Sequence, residues 1–134
     1  MKVIGFNFSK ILVERKEGFP DKLQISQNIN IKDITKEKLP ISNDEALKLD
    51  FNFVIDYTGN FAKLEFEGHV MLLPEKEEMK SFMKEWKDKK LPEQDRIQIF
   101  NFIMNKCNVK ALTLEDDIGL PLHIPLPRVN SEKQ

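Results

Sequence analysis

The stretch LDFNFVIDYTGNFAKLEFEGHVMLL, residues 49–73, constrains the fold more than any other part of the chain. Leu49, Phe51, Phe53, Ile55 and Tyr57 share one parity. Leu64, Phe66 and Val70 do the same after an interruption, with Glu65, Glu67 and His69 on the other parity. Alternation with period two puts apolar side chains on one face of a strand and polar ones on the other. Between the two runs stands Thr58-Gly59-Asn60, and both Gly59 and Asn60 tolerate positive φ, so the chain reverses there. The segment predicts a long antiparallel hairpin with one covered face and one wet face. Glu65, Glu67, Asp56 and His69 then make up an ordinary polar sheet surface.

Two further strands precede it. In VIGFNFSKILVER, Ile4, Phe6 and Phe8 alternate, but after Ser9 the parity slips through Ile11, Leu12 and Val13, which predicts a bulge or bend. KEGFPD (16–21) is turn chemistry. The second strand alternates with Leu23, Ile25, Ile29 and Ile31 inward, and TKEKLPISNDEALK (35–48) reads as a loop.

After the hairpin the period changes. Pro74 suits a first helical turn, and Glu75, Glu77 and Glu78 favour the positive end of the helix dipole. Met79, Phe82, Met83 and Trp86 follow at i, i+3, i+4, i+7, and Lys87, Lys89 and Lys90 close the other end. A second helix restarts at Leu91-Pro92 and is expected to run to about Cys107. Its apolar positions from Ile97 to Cys107 cover more than one stripe, which in a chain of 134 residues points to a subunit contact. The closing GLPLHIPLPRV has strand-like parity at Leu120, Leu122, Ile124 and Leu126, but Pro121, Pro125 and Pro127 remove ladder donors. It reads as an extended strap over the core. The element order predicts an α+β fold: a four-stranded, meander-like antiparallel sheet with two helices on one side and a Pro-rich strap. We expect one domain over 1–130 and a solvated tail over 131–134.

Basic and acidic residues nearly cancel, 21 against 22, so no broad basic field argues for nucleic acid. Lone Cys107 cannot close an intramolecular disulfide, which suits a reducing cytoplasm. No signal-peptide core and no apolar run near the length of a membrane span is present, so a cytoplasmic protein without membrane insertion is expected. A metal site needs several converging ligands, and His69, His123 and Cys107 have no ligand spacing among them. LEDD (114–117) reads as a solvated acidic run in a loop. No phosphate loop, nucleophile elbow or zinc-helix motif occurs, so no reaction can be named. Ten Phe and five Met are generous for this length. Met and aromatic residues at helical spacing serve a core most often, but they also suit a groove for apolar peptides.

DIGLPLHIPLPRVN is similar to the closing stretch of the SecB family of export chaperones, with Gly119, Leu120, Pro121, Leu122, Ile124, Pro127 and Val129 at the corresponding places. FNFSKILVER is similar to that family's opening strand, and residues 49–73 resemble its third and fourth strands. The resemblance implies a chaperone that holds unfolded polypeptides in extended form, without cofactor or nucleotide. It also implies a homo-oligomer, a dimer or a dimer-of-dimers, built from eight-stranded sheets with helices between them. Such proteins serve export or a toxin–antitoxin pair. By this analogy Phe61, Met79, Phe82, Met83 and Trp86 line the client groove. Two other readings stand beside it. One is a small-ligand protein or enzyme with His123 and Asp116 or Asp117 in a pocket between sheet and helices. The other is a structural oligomerisation subunit.

Overall fold

The computed structural model describes residues 1–129; the tail expected over 131–134 lies outside the described residues. Four strands, β1 (Lys2–Arg15), β2 (Ile25–Lys38), β3 (Glu45–Tyr57) and β4 (Ala62–Leu73), precede α1 (Lys76–Trp86) and α2 (Glu93–Asp117). The sheet is antiparallel throughout and the fold is α+β.

The central hairpin follows directly from its alternation. Every odd residue of β3 from Leu47 to Tyr57 is buried, as is every even residue of β4. Register pairs Phe53 with Phe66 and Ile55 with Leu64, so one slip would turn the whole apolar set outward. The Phe53 and Phe66 rings stack 6.2 Å apart. The reversal is a short 3-10 turn, Thr58–Asn60, in which Gly59 and Asn60 take φ of 61° and 60°. Gly68 matters for a different reason: a Cβ there would lie 2.3 Å from the Asn7 carbonyl oxygen.

The strand order is β1-β4-β3-β2, which corrects the expected meander. The chain crosses the sheet between Arg15 and Ile25, so β1 pairs with β4, and β1 and β2 become the two edges. The slip after Ser9 is a bulge: Phe8 lies opposite Gly68, Lys10 opposite Glu67, and Ile11 then shares the level of Phe66. A second bulge, between Ile31 and Asp33, puts Ile34 into the core. It also accounts for the other correction in this half. Residues 35–38 and 45–48 are strand rather than loop, and the connection is only 39–44. The bulge breaks the parity that marks a strand, and the residues beyond it are polar because they lie at an edge.

Both helices cover the same face. In α1 the Glu75 backbone N–H donates to Glu78 Oε1 at 3.0 Å in a capping box, so Pro74 precedes the helix instead of opening it. Met79, Phe82 and Trp86 are buried on the sheet side. α2 extends ten residues beyond the expected end at Cys107, because neither Gly nor Pro intervenes before Gly119. LEDD is therefore its last turn, not a loop. Its buried side is a narrow stripe at four-residue intervals: Ile99, Ile103, Cys107, Ala111 and Glu115. Phe102 reaches across to Phe6 of β1. The opposite side is open, with Ile97 and Val109 each 68% exposed.

Candidate functional site

The strap is fixed to α2 and β3 by polar contacts that the sequence does not announce. Gly119 turns the chain at φ 69°, the left-handed conformation that favours glycine after a helix. Arg15, at the end of β1, donates from Nη1 to the carbonyls of Ile118 (3.2 Å) and Gly119 (2.8 Å), satisfying acceptors beyond the helix terminus. Leu120 is buried, Leu122 and Ile124 are half-buried, and Pro127 is exposed. The Tyr57 hydroxyl donates to the Pro121 carbonyl. Next along the strap, the His123 backbone N–H donates to Glu115 Oε1 at 3.0 Å, and the ring Nδ1 lies 2.9 Å from the same oxygen. Nε2 faces Asn108 Oδ1 at 2.9 Å. Glu115 Oε2 is 2.7 Å from Nδ1 but accepts no hydrogen bond among the described residues.

This cluster is sealed. The side chains of His123 and Glu115 are 2% and 0% exposed. Burial first, and then the Glu115 charge, push the Tyr57 phenol well above its usual range. A carboxylate and an imidazole in contact are ordinary acid–base chemistry, but no substrate atom reaches a pair so covered. Its consequence is mechanical: a buried acceptor holds two donors of one strap residue. Sequence reasoning missed Glu115, because burial is what separates it from exposed Asp116 and Asp117 in the same acidic run. The i+4 stripe from Ile99 through Ala111 carried the signal once the helix is known to continue. Neither Asp116 nor Asp117 joins His123.

The five expected groove residues do not form one surface. Met79, Phe82 and Trp86 share the buried side of α1, and Met83 is half-buried beside them. Phe61 is buried just before β4, about 20 Å of strand from the level at which Trp86 sits, against Tyr57, exposed Phe19 and the Arg15 guanidinium. The open concave surface runs instead between α1 and β2. A groove of about 800 Å³ has Ile29 and Ile31 on one wall and Trp86, Leu91 and Phe100 on the other. A second, of about 630 Å³, lies where Lys36 of β2 meets Leu73, Pro74 and Met79. Two of the expected residues, Met79 and Trp86, line these grooves. β2 is only half covered, with Ile25, Ile29 and Ile31 all partly exposed. It is also an edge strand, so its outer row of backbone groups has no neighbouring strand in this chain.

Cys107 is fully buried, and burial pushes its thiol up to about 12. Among the described residues no three of His, Cys, Asp and Glu converge as metal ligands, and no helix is long and apolar enough to cross a membrane.

No protein-family model matches the sequence, and no curated protein matches it either. A solved structure does match in shape. It is the SecB-like chaperone Rv1957 of Mycobacterium tuberculosis, in complex with a ChAD peptide from the Rv1956 HigA1 antitoxin. The likeness has a TM-score of 0.57 at 12% identity, covering 96% of this chain and 87% of that one. The fold is SecB-like. At this identity the likeness concerns the fold alone.

Proposed function

We propose that this protein is a chaperone of the holding type, which keeps non-native polypeptides extended along the seam between α1 and β2. The observation that carries the reading is the pairing of the open 14-residue edge of β2 with a groove beside it whose walls include Ile29, Ile31, Trp86, Leu91 and Phe100 within a polar rim. Such an edge offers backbone hydrogen bonds to any extended chain, and alternate side chains of that chain fall toward the groove. Affinity then comes from buried apolar area and backbone pairing, with little demand on sequence. The SecB-like fold supports the reading, since a protein of this shape holds a peptide.

In this reading Met79 and Trp86 touch the client, while Phe82 and Met83 support them from the core. Phe61, with Phe19 before it, is a further apolar contact at the end where β2 begins. The strap of Gly119, Leu120, Pro121, Leu122, Ile124 and Pro127 closes the core and presents no client surface. The protein acts in the cytoplasm as a homo-oligomer, with no cofactor, in export or toxin–antitoxin control. A denatured client diluted into buffer tests this. Aggregation should fall at near-stoichiometric protein, with chelator and nucleotide making no difference. Unchanged aggregation at excess protein would overturn the proposal, and a monomer by light scattering would remove the oligomer from it.

A further inference from the structure

The charges along the α1–β2 seam do not cancel. Each groove carries three cations on its rim: Lys89, Lys90 and Arg96 in one, Lys36, Lys76 and Lys80 in the other. Four carboxylates accompany them, Glu85 and Glu93 in the first and Asp44 and Glu45 in the second. The seam is thus locally positive in a chain whose net charge is −1.

Their pairing also differs from that on the outer face of the sheet. On the outer face of the sheet lysines are neutralised: Lys10 and Lys63 lie 3.3 and 3.5 Å from Glu65, and Lys32 lies 3.3 Å from Glu67. Among the described residues, none of the six seam cations takes part in an ion pair. Two of them lie over the aromatic walls of the groove. The Lys89 ammonium is 4.7 Å from the centre of the Trp86 ring, and the Arg96 guanidinium is 5.9 Å from that of Phe100. An apolar side chain entering against those rings would bring its neighbours in sequence within reach of unpaired positive charge.

We infer that the seam selects extended apolar segments that carry acidic residues, and disfavours those flanked by basic ones. This rests on the proposed chaperone reading and names its preferred client. The four carboxylates also choose between polyanions. A peptide with a few Asp or Glu residues can pair with the cations and avoid the carboxylates, whereas a single-stranded nucleic acid has a charge at every step and meets both. The open edge of β2 likewise matches a peptide backbone.

Trp86 is the sole tryptophan and lines the groove, so its fluorescence reports occupancy directly. The experiment titrates the full-length protein with three peptides of one Leu/Val-rich core, flanked by Glu, by Gln or by Lys. Exposed ion pairs are individually weak, so the expected preference of the Glu-flanked over the Lys-flanked peptide is about fivefold to tenfold. High salt should abolish it. Lys90→Glu with Arg96→Glu should reverse the order, and both positions are exposed, so the fold tolerates the change. The milder Lys90→Gln with Arg96→Gln should merely level it. Equal or tighter binding of the Lys-flanked peptide would overturn the inference while leaving the chaperone reading standing. Displacement of the Glu-flanked peptide by oligo-dT at lower concentration than by unlabelled peptide would overturn the choice of occupant. Failure of all three peptides, together with unchanged client aggregation, would remove the chaperone reading itself.

Discussion

Glu115→Ala should unlatch the strap at a cost that can be worked out from the contacts. The substitution removes the acceptor for the His123 backbone N–H and for its ring Nδ1. The His123 side chain is 2% exposed, and an unsatisfied buried donor costs about 1–3 kcal/mol. The two donors together therefore put the loss at about 2–5 kcal/mol. A domain of this size has about 5–15 kcal/mol of stability, so the loss is a large part of the total. The assay is urea unfolding followed by Trp86 fluorescence, with Glu115→Ala, His123→Ala and the double variant compared in a cycle. If the two residues are one latch, the double variant should be milder than the sum of the singles by at least about 1.5 kcal/mol. Limited proteolysis gives a local readout, since strap residues 120–129 should become cleavable before the sheet does. A loss below about 1 kcal/mol for Glu115→Ala, or strict additivity, would refute the reasoning.

Cys107 should resist thiol reagents in the native protein, with labelling limited by unfolding; a thiol held near 12 should show no rise in rate between pH 7 and 9, where an ordinary thiol ionises. Gly68→Ala should destabilise by about 3 kcal/mol, because the new Cβ meets a backbone oxygen of β1 that cannot move without breaking the ladder; calorimetry of the variant measures it. The Asn52 amide, 2.9 Å from Glu65 Oε2, is the chief cause that holds this carboxyl below its usual range, with Lys10 adding to it against burial. A lowered folded pKa contributes stability that is present above the ordinary carboxylate range and is lost as pH falls through the lowered value. Asn52→Ala should therefore lower the urea midpoint at pH 7, with the gap to wild type closing as the solution is acidified. A gap that persists at the acid end would assign the loss to packing instead.

Much of this fold is local in origin. The β3–β4 hairpin, its reversal at Gly59-Asn60, the bulge after Ser9 and the amphipathic α1 each depend on residues within about one strand or helix of one another, so periodicity and turn chemistry show them. Where the local signal is interrupted, the reading stops short. β2 loses its parity at the Ile31/Asp33 bulge, and its polar continuation reads as loop although it is paired along its length. The apolar pattern ends α2 at about Cys107, although Val109 to Leu114 contains no residue that would end a helix.

The functional surfaces lie further from the sequence. That β1 lies beside β4 is decided by pairing across about sixty residues, and only this makes β2 an open edge. The groove is equally non-local, because it joins β2 to the turn between the helices. Its unpaired cations are spread over three elements and their connections, so no charge run marks them. Glu115 is the sharpest case. In the sequence it is one of three acids in a row, and in the protein it is the one turned under the strap, held by a histidine eight residues on and shielded with Tyr57. Neighbouring residues mark the centres of the strands and helices and the strap, because periodicity and turn chemistry are local, but not the strand ends at 35–38 and 45–48 or the last ten residues of α2. The tertiary structure decided which edge stays open, which charges stay unpaired and which acid is buried, because burial and pairing are set by residues that only the folded chain brings together.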